Sequence, residues 1–516
     1  MEFLRTTRDL QLWTHQSRAR PLHFVPTMGA LHQGHGVLIR RAAREGDSQS
    51  TPRVLVSVFV NPLQFGPGED FERYPRTLDD DISHAADAGA QALWAPSLRD
   101  VYADGPEATT RVVPPMHLVN QLCGASRPGH FEGVATVVSR LLAIVAPDRM
   151  FLGEKDWQQV VILRRLVRDL GLPVSIEAVA TDREADGLAR SSRNRYLDPE
   201  QRQRAAALPS ALDRARGYLA AGVVGAAAIT ERVRRDLEAA GLGVDYVALT
   251  CPHNLKLLPR VDGLALLAAA VHCGPARLID HVVLMSRSPI VAIDGPAGAG
   301  KSTVTRAFAE RLGLVYLDTG AMYRALTWWL QTHGVDPGDG AAIGPLLDRL
   351  ELRLTAAADG RPQVWVNGQE VSEAIRAPEV TAAVSQVAAH ACVREALTSQ
   401  QQRLGQHGGL VAEGRDIGTA VFPQAELKVF LTATAAERAR RRALDLQQRG
   451  FAVPPLEELE RQIRERDHSD ASRAVAPLRQ ADDAVELITD GLSIDRVIQR
   501  LVELFRERVP EEAWPG

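Results

Sequence analysis

The sequence predicts an α/β protein built from two successive parallel-sheet domains. Three observations predict it. Before residue 280, apolar runs alternate with amphipathic stretches, the pattern of a parallel sheet covered by helices. From about residue 200 the chain turns Ala-, Arg- and Glu-rich at helical spacing and then gives shorter strand candidates, which describes a smaller α+β subdomain. Near residue 290 a second α/β alternation starts afresh after a short joint.

Composition sets the bounds. A chain of 516 residues exceeds one ordinary core, and about two to four domains are expected at this length. Hydrophobic residues make up 45%, charged residues 24%, and the net charge is -4. These are globular values without an overall basic field, so neither nucleic acid nor a membrane is expected as a partner. Cys123, Cys251, Cys273 and Cys392 show no CxxC or His/Cys metal spacing. Reduced thiols in a cytoplasmic protein are expected. The start, MEFLRTTRDLQLW, is broken by charge and lacks an apolar signal core. No apolar run is long enough to span a bilayer, and no internal repeat is visible.

In chain order, PLHFVP, VLVSVFV, ALWAP and VSIEAVA read as buried strands, and HGVLIRRAARE, DDDISHAADAGA and VVSRLLAIVAP as the helices between them. QRQRAAALPSALDRARGYLA and ITERVRRDLEAAG read as helices of the subdomain, VDYVALT and LALLAAAVHC as its strands. RLIDHVVLMSRSPI reads as the joint. The expected division is 1–281, subdivided near residue 187, then a linker over 282–288, then 289–516.

The second half opens with IVAIDGPAGAGKSTVTRAFAERL (290–312). Gly295, Gly300, Lys301 and Ser302 fit GxxxxGK[ST], with a strand before and a helix after, and Val304, Ala307, Phe308 and Leu312 on one helix face. Such a loop, with Gly298 and Thr303 also in it, curves backbone N–H groups around phosphate oxygens at a helix N-terminus. Lys301 reaches the transferred phosphate, and Ser302 holds Mg²⁺ through ATP. A Gly-rich turn that only caps a helix is the bland alternative, and the context disfavours it.

LDTGAMYR, VNGQEVSEAIRAPEV, SQVAAHACVREAL, LVAEGRDIGTAVFPQA, ERARRRALDLQQRG and RERDHSDASRAVAPL follow in order. These strings closely resemble cytidylate kinase of the bacterial type over residues 287–510. The resemblance implies a P-loop nucleoside-monophosphate kinase with a parallel sheet, moving the γ-phosphate of ATP to CMP or dCMP. It places Thr319, Arg324, Arg415 and Arg473 around the acceptor phosphate, Ser385, Arg394 and Asp416 at the cytosine, and Arg466 and Asp470 near the sugar. Two polyanions must meet, so several arginines are needed whatever the family. In the cluster Arg438, Arg440, Arg441, Arg442, the choice is between a solvated face and a lid over ATP. Arg438 and Arg441, one turn apart, are the better ATP ligands.

In the first half, VPTMGALHQGHGVLIRRA carries His32 and His35 as HxGH at a helix start. Such a pair can meet ATP phosphates, and Gly34 lets the nucleotide approach the backbone. Alone the pattern is weak: satisfied histidines in a Gly-rich turn read about as well from it, and a metal site is a third reading that no further ligand cluster accompanies. SVFVNPLQFGPGEDFERYPRTLDDD, GASRPGHFEGVATVVSRL, FLGEKDWQQVVILRRLVRDLG and DGLARSSRNRYLDPEQR complete the set. Together they closely resemble pantothenate synthetase (pantoate–β-alanine ligase) over about residues 1–281.

That resemblance implies a Rossmann-like domain of the nucleotidyltransferase/class I synthetase type with a smaller C-terminal subdomain, and a homodimer through this half. It implies adenylation of pantoate by ATP, then attack by β-alanine. Catalysis falls to His35, His32, Lys155 and Arg193. The ATP site comprises Met28, Gly29, His32, Gly34, His35, Gly153, Glu154, Lys155, Asp156, Arg190, Ser191, Ser192 and Arg193. Gln64, Gln159, Asn61 and Arg127 are assigned to pantoate and β-alanine, since amides donate and accept toward hydroxyls and a carboxylate. His35 is expected to act as stabiliser or proton donor at the leaving pyrophosphate. Two departures stand out. Gly36 replaces a bulkier residue, at a cost of up to about 1 kcal/mol if helical. Arg190 stands where an aliphatic residue is common.

The fused order resembles the bifunctional type carrying both activities. ATP with Mg²⁺ is expected at both sites, with no prosthetic group. The alternatives are a catalytically silent half serving dimerisation or regulation, a nucleotidyltransferase first half, or a kinase for another acceptor. Lys301, Arg415, Asp416, His35, Lys155 and Arg193 all remain and speak against the first; Gln64 and Gln159 against the second; Ser385, Arg394 and Asp416 against the third.

Overall fold

The computed structural model describes residues 1–16, 20–44, 51–66, 68–356, 362–448, 450, 452–473 and 475–513. The chain forms two compact units. Unit 1 comprises Met1–Ser286 and a returning stretch, Arg506–Ala513; unit 2 begins at Arg287 and runs to Phe505.

Unit 1 is built on a parallel sheet of β1 (Glu2–Leu4), β2 (Leu22–Thr27), β3 (Arg53–Val58), β4 (Ala92–Trp94), β5 (Arg149–Gly153) and β6 (Ser175–Val179), in the order β1-β4-β3-β2-β5-β6. Its helices include α1 (Gln33–Arg44), α2 (Leu78–Asp87), α3 (His130–Val145) and α4 (Trp157–Asp169). Val25, Ile39, Val54, Val56, Leu93 and Phe151 are fully buried between sheet and helices. Central parallel strands are covered on both faces, which is why their sequences are continuously apolar.

The subdomain pairs α5 (Ala207–Ala220) and α6 (Ala226–Ala239) with an antiparallel sheet of β7 (Gly243–Thr250), β8 (Leu264–Cys273) and β9 (Ala276–Met285). Ile229, Val233 and Leu237, at helical spacing, are the buried face of α6. Here the structure corrects one expectation. RLIDHVVLMSRSPI is not mainly a joint: β9 pairs along all of β8, and strand structure resumes at Ile290. Its Leu278, Val282 and Leu284 fill the subdomain core.

Unit 2 has a parallel sheet in the order β11-β15-β10-β16-β17, with β10 (Ile290–Asp294), β11 (Val315–Asp318), β15 (Leu410–Gly414), β16 (Leu427–Thr432) and β17 (Val485–Ile488). A small antiparallel sheet joins β12 (Leu352–Ala356), β13 (Pro362–Val366) and β14 (Gln369–Glu370). The helices used below are α7 (Lys301–Arg311), α8 (Thr319–Thr332), α9 (Pro378–Val387), α10 (Ala391–Leu404), α11 (Ala435–Gln448), α12 (Leu456–Ala471) and α13 (Ile494–Arg508). The buried stripe of α7 is Val304, Thr305, Phe308 and Ala309; Ala307 and Leu312, expected on it, are only half-buried. All four cysteines are free thiols. Among the described residues, no helix is long and apolar enough to cross a membrane.

Candidate active sites

In unit 1, β2 and β5 are neighbours, but the chain proceeds from β2 to β3 on one flank and from β5 to β6 on the other. Open parallel sheets bind ligands outside the carboxyl ends of strands at such a switch point. PTMGALHQGH follows β2 and GEKD follows β5, so the fold brings the two motifs to one place. The first loop is pinned from α2. The buried Asp81 carboxylate accepts from Ala30 N at 3.1 Å and Leu31 N at 2.7 Å. Gly29 has φ +82°, and a Cβ there would lie 2.9 Å from Asp81 Oδ2 and from Val58 Cγ1, so only glycine fits.

The two histidines are locked to each other. His32 N donates to His35 Nδ1 at 3.2 Å, Gly34 N donates to His32 Nδ1 at 3.2 Å, and the rings lie 4.1 Å apart. Each neutral ring therefore carries its proton on Nε2. Burial in surrounding protein, with nearby positive groups, depresses His32 to about 4; burial, with His32 beside it, depresses His35 to about 3. At neutral pH both are hydrogen-bond donors and not imidazolium acids, which narrows the expected role of His35 to stabiliser.

The cations of this site are each held by a carboxylate. Arg193 donates to Asp70 at 3.0 and 3.2 Å, Arg127 to Glu69 at 2.6 and 2.7 Å, Lys155 to Asp156 at 3.2 Å, and Arg190 forms an ion pair with Asp182 at 2.9 Å. Lys155, Arg193, Arg127, Gln159, Ser191 and His130 line one cavity; the histidine pair does not. Ser191 caps the short helix Ser192–Tyr196 by accepting from Arg193 N at 3.3 Å. Gln64 enters through its carbonyl, which accepts from His130 Nδ1 at 2.8 Å and from Arg127 Nη2 at 3.2 Å.

Asn61, expected at the substrate, is held from within the protein. It is buried, its amide donates to Gly133 O at 3.1 Å, and its oxygen accepts from Tyr102 OH at 2.8 Å and Leu63 N at 3.3 Å. Those bonds tie the Pro62–Gln64 turn to α3. The departures are also explained. A Cβ on Gly36 would come within 3.1 Å of Arg40 Nη1 and 3.2 Å of His84 Nε2, so these tips occupy the space of a larger residue. Arg190 is neither free nor solvent-directed but paired with Asp182.

In unit 2 the phosphate loop leaves β10, the central strand. Gly295 has φ +150°, and a Cβ there would sit 2.0 Å from Leu431 O. Lys301 is buried and donates to Gly295 O at 2.8 Å and Pro296 O at 2.9 Å. Burial, with Arg415 nearby, lowers it to about 7. Phosphate favours the ammonium, so ATP binding should take up a proton: little at pH 6, approaching one at about pH 8. Calorimetry in buffers of differing ionisation enthalpy should show this uptake in wild type and lose it in Lys301→Arg, whose charge is permanent.

Ser302 Oγ donates to Glu413 Oε1 at 2.6 Å, and Thr319 Oγ1 donates to Glu413 O at 2.7 Å. Glu413 Oε2 is buried without a hydrogen bond. Arg394 and Asp416 form a buried pair, with Arg394 over the Tyr323 ring. Arg415 reaches Asp470 at 3.0 Å, and Arg473 pairs with the other oxygen of Asp470. Arg324 bonds Asp318 at 3.0 Å. Arg466 has a buried Nε without a partner. Ser385, on α9, is half-buried and makes no hydrogen bond to Arg394 or Asp416. Arg438 and Arg441 turn toward the phosphate loop, donating to Ala297 O at 3.2 Å and Ala299 O at 3.3 Å; Arg440 and Arg442 are exposed.

Sequence reading missed the partners that hold these groups: Asp70, Glu69 and Asp318, which pair with arginines; Asp467, which pairs with Arg438; Asp81, Glu413 and Asp294, which pin loops and hydroxyls; and His130, which meets Arg127. Asp294 accepts from Ile417 N at 2.8 Å and Gly418 N at 2.7 Å, tying the GRDIG turn to the phosphate-loop strand; burial raises it to about 6. Most of these residues lie inside or beside the motif strings, which was the available signal.

Comparison with known proteins decides the family. The pantoate-beta-alanine ligase family model matches residues 2–283, and the cytidylate kinase family model matches residues 291–507. A bifunctional pantoate ligase/cytidylate kinase of Parasynechococcus marenigrum is 63% identical over 97% of both chains. The chain belongs to the bifunctional pantoate ligase/cytidylate kinase family. A second such protein, from Prochlorococcus marinus, is 62% identical over 96% of this chain and 97% of its own. The crystal structure of pantothenate synthetase from Thermus thermophilus matches with TM-score 0.50 and 44% identity, covering 55% of this chain and 99% of that one. The chain is thus a two-activity enzyme of this family. The ligase joins pantoate to β-alanine through pantoyl adenylate, forming AMP and diphosphate, and the kinase phosphorylates CMP or dCMP with ATP.

Proposed function

We propose that the two reactions run at separate, self-sufficient sites, one in each unit. The observation that supports this is placement: His35 and Lys155 follow adjacent strands at one switch point, and Lys301 and Arg415 follow the adjacent strands β10 and β15. In the ligase, Lys155 and Arg193 neutralise ATP phosphates, and neutral His35, with His32 behind it, donates from Nε2 to the departing pyrophosphate. Ser191 and Ser192 add donors from the short-helix turn. Gln159, and Gln64 with Arg127, orient pantoate and β-alanine. Met28, Gly29, Gly34 and the Gly153–Asp156 turn cradle the nucleotide.

In the kinase, the loop from Gly295 through Gly298 and Gly300 to Thr303 holds the ATP phosphates, with Lys301 at the transferred group and Arg438 and Arg441 beside it. Arg324, Arg415, Arg473 and Thr319 hold the acceptor phosphate. Arg394, Asp416 and Ser385 read the base, and Arg466 and Asp470 face the sugar. Ser302, beside the unpartnered oxygen of Glu413, is a hard-oxygen setting suited to Mg²⁺ carried by ATP. That ion supplies charge neutralisation at the phosphates. Mg-ATP serves the ligase as well. The protein acts in the cytoplasm as a homodimer through the ligase half.

The test runs both reactions in one vessel at saturating ATP. CMP should leave the rate of pantothenate formation unchanged, and pantoate with β-alanine should leave CDP formation unchanged. Inhibition of either beyond ATP depletion contradicts separate sites.

A further inference from the structure

The chain leaves unit 1 at Ser286 and re-enters it at Arg506–Ala513. Residues beyond 507 lie outside both family matches. Within unit 1, Glu511 touches three ligase elements at once. Its backbone N–H donates to Glu154 Oε1 at 3.1 Å. Its Oε2 accepts from Ala180 N at 3.3 Å. Its Oε1 lies 3.3 Å from Arg41 Nη2. Glu154 is buried and precedes Lys155; Arg41 lies on α1, the helix that starts at the histidine pair; Ala180 directly follows β6, on the way to the Ser191–Arg193 turn. Nearby, Arg164 Nη1 on α4 donates to Glu507 O at 2.7 Å, anchoring the same segment.

We propose that Glu511 is a positioning residue of the ligase reaction, clamping the GEKD turn, the HxGH helix and the end of β6 in mutual register. The clamp rests on the reading in which His35 and Lys155 serve one site. Glu511 touches no reacting atom. It acts by removing freedom between groups that must converge on the same triphosphate, where a misplacement of about 1 Å can cost about a hundredfold in rate.

The test uses the full-length protein with Glu511→Ala, Glu511→Gln and a deletion of residues 510–516. The readouts are ligase kcat and KM for each substrate, CDP formation, and amide hydrogen exchange at the 153–156 turn and at Ala180. Glu511→Ala should lower ligase kcat about threefold to tenfold, and the deletion more. Glu511→Gln should fall between, since its amide oxygen still accepts from Ala180 N but the charge facing Arg41 is gone. CDP formation should be unchanged, and exchange should quicken at both segments. Ligase kinetics and exchange unchanged in both the alanine variant and the deletion would overturn the proposal. So would a parallel loss of both activities, or a lower melting temperature with normal ligase kinetics. A His35→Ala control separates the readings: full ligase activity in it refutes the histidine assignment, while exchange at Ala180 still reports on the clamp.

Discussion

In the full-length protein, His35→Ala should lower pantoate-dependent AMP formation about 10²–10³-fold and leave CDP formation intact. Lys301→Ala should do the reverse. The size follows from what each group supplies: a preorganised donor or cation aimed at charge that develops on phosphate, removal of which typically costs about 3–4 kcal/mol. For His35 the effect should fall on kcat, because its Nε2–H, fixed by the bond into Nδ1, is pre-aimed and needs no protonation change. Its low pKa of about 3 means that ligase activity should not fall through loss of the neutral imidazole as pH drops from 7 to 5. Lys301 differs. At about 7 its free-state charge is half lost in neutral solution, so its variant should also weaken ATP binding in the kinase, more at pH 6 than at pH 9. Product analysis of each variant on both substrate sets checks this. Either variant losing both activities while folded contradicts two independent sites.

Asp416→Ala should destabilise unit 2 by about 3–5 kcal/mol and raise KM for CMP. The Arg394–Asp416 pair is buried, and removing one partner strands the other charge in protein. Arg394 has little else to lean on: a 3.3 Å bond to Ala388 O, the Tyr323 ring, and a buried Nε with no partner. The double variant Arg394→Met with Asp416→Leu separates recognition from stability. Apolar replacement of a whole buried pair is often neutral, so the melting transition should largely recover while CMP binding does not. Calorimetry and the CMP saturation curve together decide it. Recovery of CMP affinity in the double variant would mean that the pair only packs.

The motifs were legible because each is local. The strand, glycine turn and helix of Ile290–Arg311 are contiguous, and their spacing encodes the phosphate cradle directly. HxGH and GEKD were legible as strings, but their meeting was not. That required β2 and β5 to become neighbours although β2 ends at Thr27 and β5 begins only at Arg149, which only sheet order can bring about. β9 was misread because a buried edge-to-edge strand and a short joint look alike until pairing with β8 is seen. The bonds of Asn61 to Gly133 and Tyr102, 72 and 41 positions away, leave no local trace in the sequence.

By itself the sequence determined the chemistry: which cations, histidines and glycines are present, in two complete sets, and therefore two nucleotide-using activities on one chain. Tertiary structure decided how those groups are held. Arg193 meets Asp70 across 123 positions, Ser302 meets Glu413 across 111, and Glu511 meets Glu154 across 357. The physical reason is range. Helix starts and phosphate loops arise from hydrogen bonds within a few residues, whereas counter-ions, burial and the resulting protonation states depend on which distant strands and helices fold against them.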